Sequence, residues 1–333
     1  MALSLKELSK QDETFVSGHR LCAGCGAGTT FRQIMMAAED PVVMSVATGC
    51  LYVATATYPY TAWNCNWIHS AFENSAATIS GIEAAYQSLK RQGKVTKTIK
   101  FIAVGGDGGT FDIGLQALSG ALERGHKFLY VCYNNEAYMN TGTQRSGATP
   151  MGASTTTTPA GSASYGKPVF RKDLTGIVAA HNIPYLAQTT PAHWRDLMTK
   201  VKKALAADGP SFLNILSPCH RGWRNEMKDS INLARIAADT CYWPLYEVEN
   251  GEYKLNYTPK EKKPITEWLK PQGRFKHIFA KGGNSAETGS THRSGPNQEL
   301  INKIQTNVDK EWEKLLKKCN QGDKKPDLAP VTG

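Results

Sequence analysis

The 333-residue chain is long enough for one large α/β domain, or for one domain with a substantial appendage, and a sizeable core is within its reach. It carries 39 Lys and Arg against 29 Asp and Glu, a net charge of +10 that invites a nucleic-acid reading. Residues 260 to 333 hold 15 of the cations and 9 of the acids, so the excess is a diffuse basic region. Without an aromatic-basic single-strand motif, it reads as solvated surface and contacts with an acidic partner, not nucleic acid.

The N-terminus lacks the charged start and unbroken apolar stretch of a signal peptide, and no segment approaches about 18 apolar residues in a row. The expectation is a soluble, cytoplasmic chain with no membrane attachment. Thiols stay reduced there, so the eight cysteines are better explained by metal ligation, burial or reactivity than by disulfides.

Residues 28 to 38 carry Phe31, Ile34, Met35 and Ala38 at helical spacing, and after Pro41 the apolar run from Val42 to Val46 predicts a buried strand. Cys50 follows at its carboxyl end. From Ala71 to Lys90 the positions Phe72, Ala76, Ile79, Ile82, Tyr86 and Leu89 repeat with a helical period that ends at Gln92-Gly93. A strand from Ile99 to Val104 runs into Gly105-Gly-Asp-Gly-Gly109. A helix through Leu115, Leu118, Ala121 and Leu122 stops near Gly125, and Phe128 to Tyr133 is the next strand, completing a βαβ unit. The polar stretch Thr149 to Pro168 reads as a long loop of the kind that covers a site.

A helix over Leu174 to Ala180, a strand over Ile183 to Leu186, a helix carrying Trp194, Leu197, Val201 and Leu205, and a strand over Ser211 to Leu216 continue the alternation and deliver Cys219. The fold class is therefore α/β: a doubly wound, mostly parallel sheet with helices on both faces and ligands at the carboxyl ends of its strands. Beyond about residue 222 the composition turns aromatic and charged, with a hairpin at Asn250-Gly251 and a Gly, Ser and Thr rich loop over 281 to 296. A last amphipathic helix passes through Leu300, Ile304, Val308, Trp312 and Leu315. The expected organisation is a domain over residues 1–222 and a wrapping C-terminal extension over 223–333 that meets partner subunits.

Four cysteines have a split spacing: Cys22 and Cys25 in Cys-Ala-Gly-Cys, Cys50 in Ala-Thr-Gly-Cys, and Cys219 in Ser-Pro-Cys-His. Soft thiolates grouped this way suit an iron–sulfur cluster, and equally a four-cysteine zinc site. Cys65, Cys132, Cys241 and Cys319 have no ligand context and read as structural. Asp107, flanked by glycines at a strand end, suits a Mg²⁺ ion that itself holds phosphate oxygens. Glycine admits a phosphate close to the backbone, and the amino end of a following helix favours negative charge. About 28 residues on, Asn134-Asn-Glu-Ala-Tyr-Met-Asn140 stands at the end of the next strand, where Asp and Asn from adjacent strand ends could share one metal.

This Gly-Asp-Gly followed by Asn resembles the thiamin diphosphate motif. Together with Tyr133 to Pro150 and the cysteine pattern, residues 16 to 225 resemble the 2-oxoacid:ferredoxin oxidoreductases, in particular the thiamin-binding β subunit of pyruvate:ferredoxin oxidoreductase. The resemblance implies that Cys22, Cys25, Cys50 and Cys219 hold a 4Fe-4S cluster. Asp107 and Asn135 would bind Mg²⁺ with the Ala137 carbonyl, Gly49, Gly106 and Gly108 would lie against the thiamin diphosphate, and Asn140 would face the reacting centre. His69 and Glu73, expected on the helix that follows the loop Trp63 to Trp67, would lie near the cofactor. His220 and Arg145 are each read either as ordinary polar residues or as groups near the cluster and near an anion.

The implied reaction is the reversible oxidative decarboxylation of pyruvate with coenzyme A to acetyl-CoA and carbon dioxide, electrons leaving through the cluster to ferredoxin. The resemblance also implies partners of α, γ and δ type, since substrate-binding residues and onward electron carriers are not in this chain. Oxalate or a branched-chain 2-oxoacid are alternative substrates. A non-redox thiamin-dependent lyase with structural zinc, and a non-enzymatic iron–sulfur scaffold, are the readings of other classes.

Overall fold

Short, unbroken apolar runs form central strands when both faces of a parallel sheet are covered, because every side chain is then buried. The computed structural model describes residues 4–161, 164–280 and 297–322. Its strands are β1 (Val42–Ala47), β2 (Asn66–Ser70), β3 (Lys100–Gly106), β4 (Leu129–Asn134), β5 (Tyr185–Thr189), β6 (Ser211–Leu216), β7 (Tyr246–Glu249) and β8 (Glu252–Leu255). All residues of β4, β5 and β6 are buried. The strands form one eight-stranded sheet in the order β2-β1-β3-β4-β6-β5-β7-β8. The first six are parallel; β7 and β8 continue it antiparallel from β5.

The alternation of side chains along each strand divides the interior into two layers. On one face Met44, Val46, Ile102, Val104, Val131 and Ile215 pack with Phe31 and Ile34 of the helix Gly26–Ala37 and with Leu197 and Val201 of the helix Trp194–Ala206. On the other, Phe101, Ala103, Tyr130, Cys132 and Phe212 pack with Ile79 of the helix Ser75–Arg91 and Leu118 of the helix Leu115–Glu123. A third cluster gathers Trp223, Trp243, Trp268, Phe275 and Ile304 and is built almost wholly from the C-terminal third. The helix Gln298–Gly322 joins it through Ile304 and Val308 and reaches the second layer through Leu315, with Trp312 packed beside it.

The structure departs from expectation in two places. Asn66–Ser70 is an edge strand paired in parallel with β1, so the helix expected from Ala71 starts at Ser75, and His69 and Glu73 are not on it. This strand has one buried residue in five, too little to give a core-strand pattern. The glycines after Asp107 enter a π-helical turn, Gly108–Ile113, before the α-helix Leu115–Glu123. The stretch from Thr149 is a loop, as expected, but a packed one, with Met151 and Ala153 in the C-terminal cluster and the Ser154 amide donating to the Arg274 carbonyl at 2.9 Å. The Gly, Ser and Thr rich stretch 281–296 and the end from residue 323 lie outside the described residues.

Candidate active site

The sheet order places β1 between β2 and β3: the chain leaves β1 to one side and returns to the other. Such a switch point opens a crevice at the carboxyl ends of the strands. Here Thr48-Gly49-Cys50 leaves β1, Gly106-Asp107-Gly108 leaves β3 and Asn134 to Asn140 leaves β4. One cavity of about 70 Å³ is lined by all three segments, with Phe72, Tyr133 and Tyr138. A larger cavity of about 530 Å³ opens beneath the helix Gln298–Gly322 and shares no residue with it. Asp107, Asn135, Asn140 and Cys50 line the smaller one, while Cys22 and Cys25 line a separate open cavity of about 810 Å³.

Its floor is made of positions where a Cβ would collide. At Gly49 the added atom would sit 2.7 Å from the Tyr133 hydroxyl oxygen, and at Gly108 2.6 Å from the Tyr138 ring. At Gly106 it would lie 3.3 Å from the Tyr133 hydroxyl. Tyr133 is buried and accepts the Leu51 amide, so one ring supports both the β1 and the β3 ends.

Asp107 is fully buried. Burial pushes its carboxyl up to about 7, against the opposing bonds from the Ser146 hydroxyl and the Asn135 amide. Ser146 donates to Oδ2 at 2.6 Å and the Asn135 backbone N–H to Oδ1 at 3.1 Å. The end of the Asn135 side-chain amide lies 3.0 Å from Asp107 Oδ1 and 2.9 Å from the Ala137 carbonyl. With its nitrogen turned to them, Asn135 donates to both oxygens. With its oxygen turned to them, its separations of 3.0 Å from Asp107 Oδ1 and 2.9 Å from the Ala137 carbonyl match the octahedron edges of about 2.8–3.0 Å that Mg–O bonds of about 2.0–2.1 Å require. The residues therefore fit a divalent cation, which would exchange one amide orientation for the other.

The cysteine pairs come together across the same strand ends. Cys22-Ala-Gly-Cys25 is a turn closed by the Cys25 amide on the Cys22 carbonyl at 3.0 Å, with Gly24 at a φ of +77°. Gly26 donates to the Pro218 carbonyl at 2.9 Å, which fastens this turn to the segment leaving β6. All four thiols are free, and only Cys22 is exposed. Burial, and then the facing Cys219, Cys25 and Cys22, push the Cys50 thiol up to about 12. Burial raises Cys25 to about 11 and is opposed by the Ala27 and Gly28 amides. Burial also raises Cys219, against the Gly222 and Arg221 amides.

Among the described residues, no three His, Cys, Asp or Glu side chains are drawn onto a single ion position. A 4Fe-4S cube stands between its thiolates and keeps them apart. Beyond burial, neighbouring thiols of the four push Cys25, Cys50 and Cys219 up, and backbone amides oppose this at Cys25 and Cys219, so the set suits such an iron core better than the thiol form.

Asn140, Gly49, Gly106, Gly108, Asp107, Asn135 and Ala137 all line the cavity, with Asn140 exposed at its rim. His69 and Glu73 do not. His69 stacks on Tyr52 at 3.7 Å and meets the Thr48 hydroxyl at 2.7 Å, so it touches the cavity through Thr48. Glu73 lies in the turn before Ser75, its carbonyl 2.8 Å from where a Cβ at Gly114 would be. His220 is buried with Nδ1 unpartnered, and Arg145 is exposed. Sequence reasoning missed Ser146, Tyr133, and Glu136 with its distant partners. An acid in an otherwise neutral run at a strand end was the one available signal for Glu136.

Residues 47–215 match the family model of the thiamine pyrophosphate enzyme, C-terminal TPP binding domain. Pyruvate synthase subunit PorB of Thermotoga maritima is 49% identical over 93% of this chain and 94% of its own length. PorB of Methanocaldococcus jannaschii is 53% identical over 80% and 91%. Ketoisovalerate oxidoreductase subunit VorB of Pyrococcus abyssi is 44% identical over 92% and 93%. In fold, the chain resembles a 2-oxoglutarate:ferredoxin oxidoreductase from Magnetococcus marinus, with a TM-score of 0.52 and 19% identity over 68% of this chain and 81% of that one. The chain belongs to the pyruvate synthase PorB family of thiamine pyrophosphate enzymes.

Proposed function

We propose that the chain is the thiamin-diphosphate-binding β subunit of a pyruvate:ferredoxin oxidoreductase. With its partner subunits it converts pyruvate and coenzyme A to acetyl-CoA and carbon dioxide, reversibly. The observation that carries this reading is the switch-point cavity, in which a glycine floor and the oxygens of Asp107, Asn135 and Ala137 stand beside Cys50. Bound there, thiamin diphosphate supplies a nucleophilic carbon for a 2-oxoacid carbonyl, and a neighbouring 4Fe-4S cluster supplies one-electron oxidation.

The chain's own residues provide position and electrostatics. Asp107, Asn135 and the Ala137 carbonyl hold Mg²⁺, while Ser146 keeps the carboxylate turned toward it. Gly49, Gly106 and Gly108 let the backbone come close to the diphosphate. Cys22, Cys25, Cys50 and Cys219 hold the cluster, with Cys50 adjacent in sequence to the cofactor-facing Gly49. Asn140 presents amide donors at the rim toward the reacting centre, and His69 steadies Thr48. A 70 Å³ cavity is far below the roughly 300–1,000 Å³ that encloses a ligand of this size, so α, γ and δ-type subunits supply the remaining walls, the substrate contacts and the path to ferredoxin.

The likeness to a ketoisovalerate oxidoreductase subunit supports a branched-chain 2-oxoacid as the second reading. The test is anaerobic purification of the chain with its partners, followed by viologen reduction with pyruvate, 2-oxoisovalerate, 2-oxoglutarate or oxalate, with and without coenzyme A. The reading predicts fastest reduction with pyruvate and a requirement for coenzyme A. Faster reduction with another 2-oxoacid would reassign the substrate, and zinc in place of iron would remove the redox role.

A further inference from the structure

Glu136 stands between Asn135, whose side-chain amide reaches Asp107 Oδ1, and Ala137, whose carbonyl meets the same amide. Its φ is +68°, a left-handed conformation disfavoured for a residue with a Cβ. This turn reverses the chain so that the Asn135 side chain and the Ala137 carbonyl can face the same point. Every polar group of Glu136 is engaged. Its amide donates to Asn134 Oδ1 at 3.0 Å, and its carbonyl accepts the Thr149 hydroxyl at 2.7 Å. Oε1 accepts the Tyr242 hydroxyl at 2.6 Å, and Oε2 pairs with Arg274 Nη2 at 2.5 Å.

Glu136 is 0% and Arg274 2% exposed. Arg274 is itself fixed, with Nε and Nη2 donating to Gln272 Oε1 at 2.9 and 2.6 Å and its guanidinium 4.4 Å from the centre of the Trp223 ring. The same Trp223 donates from Nε1 to the Asn135 carbonyl at 2.9 Å. Two adjacent residues of the loop are thus gripped from one side by Trp223, Tyr242 and Arg274, all from the C-terminal third. A buried ion pair adds little net stability, because desolvation offsets the attraction. What this pair adds is the direction of the loop.

We propose that Glu136, clamped by Arg274 and Tyr242, is a positioning residue that aims Asn135 and the Ala137 carbonyl at Mg²⁺, so that the C-terminal extension sets the affinity of the cofactor site for its metal. This rests on the Mg²⁺ and thiamin diphosphate reading above. Groups that orient metal ligands typically change metal affinity 10- to 100-fold when removed.

Three variants of the assembled complex separate the clamp from packing. Glu136→Gly tolerates the left-handed turn and lacks the clamp. Arg274→Met removes the cation and keeps a long side chain. Tyr242→Phe removes one hydroxyl and keeps the ring. After chelation, Mg²⁺ is titrated calorimetrically at saturating thiamin diphosphate, with iron content and cluster absorption measured on the same samples.

The expected result is a Mg²⁺ dissociation constant raised at least tenfold in Glu136→Gly and Arg274→Met, and severalfold in Tyr242→Phe, with the cluster signal unchanged. Wild-type affinity in Glu136→Gly, or in Tyr242→Phe should the other two fail to fold, would overturn the clamp alone. Absence of Mg²⁺ binding in the unaltered complex would overturn the parent reading and the clamp with it.

Discussion

Asp107 is a costly buried carboxyl in the metal-free fold, and the proposed Mg²⁺ would offset that cost. An ordinary aspartate titrates near 3.8, and burial pushes this one up to about 7 in the metal-free fold. Folded protein then holds a proton that the unfolded chain releases. The contribution of this group to stability is full below about pH 4 and is lost as the pH rises to 7, by about 4 kcal/mol. Thermal unfolding of metal-free chain should therefore show a steeper fall between pH 4 and 7 than Asp107→Asn does, and Mg²⁺ with thiamin diphosphate should restore stability at pH 8 in the wild type alone. Parallel pH profiles for the two proteins would contradict the assignment.

At the scale of elements, the site is a set of strand ends held in register. Strands β1 and β3 pair in parallel with Val46 beside Val104, which brings Gly49 and Gly106 together around the Tyr133 ring. Gly49→Ala would force a methyl to within 2.7 Å of the Tyr133 oxygen, at a cost of about 1–3 kcal/mol. Tyr133→Phe removes that oxygen, so the double variant should recover most of the loss in urea unfolding and in thiamin diphosphate affinity. A strictly additive double variant would show that the two residues do not press on each other.

These strand ends were legible because their signals are local: apolar runs closed by glycine, a lone Asp, and cysteines just past a strand. Edge strand β2 was not legible, because a strand buried at one position in five carries little hydrophobic pattern. Nor was the π-helical turn, closed by the Gly114 amide on the Gly109 carbonyl at 2.6 Å in a glycine-rich run without periodicity. Glu136 and Arg274 are 138 residues apart, and no spacing rule links such a pair before the chain is folded.

Over the whole molecule, the C-terminal third is part of the sheet as well as a cover. Strand β7 pairs antiparallel with β5, and the cluster of Trp223, Trp243 and Trp268 lies behind the β4 loop. Trp268 is fully buried and stacks on Tyr242 at 3.9 Å. Trp268→Ala should cost about 3–5 kcal/mol in urea unfolding and keep a single transition, because the sheet is continuous. An early, separate transition of the C-terminal third would argue for two independent units.

The central claim is that one switch-point cavity holds thiamin diphosphate while its neighbour Cys50 holds iron. Its most direct test is Cys50→Ala in the anaerobically purified complex, with iron, sulfide and thiamin diphosphate measured per chain beside the cluster's spectroscopic signal. The account predicts loss of this chain's cluster signal and its iron, with thiamin diphosphate retained. An unchanged signal and iron content would contradict it.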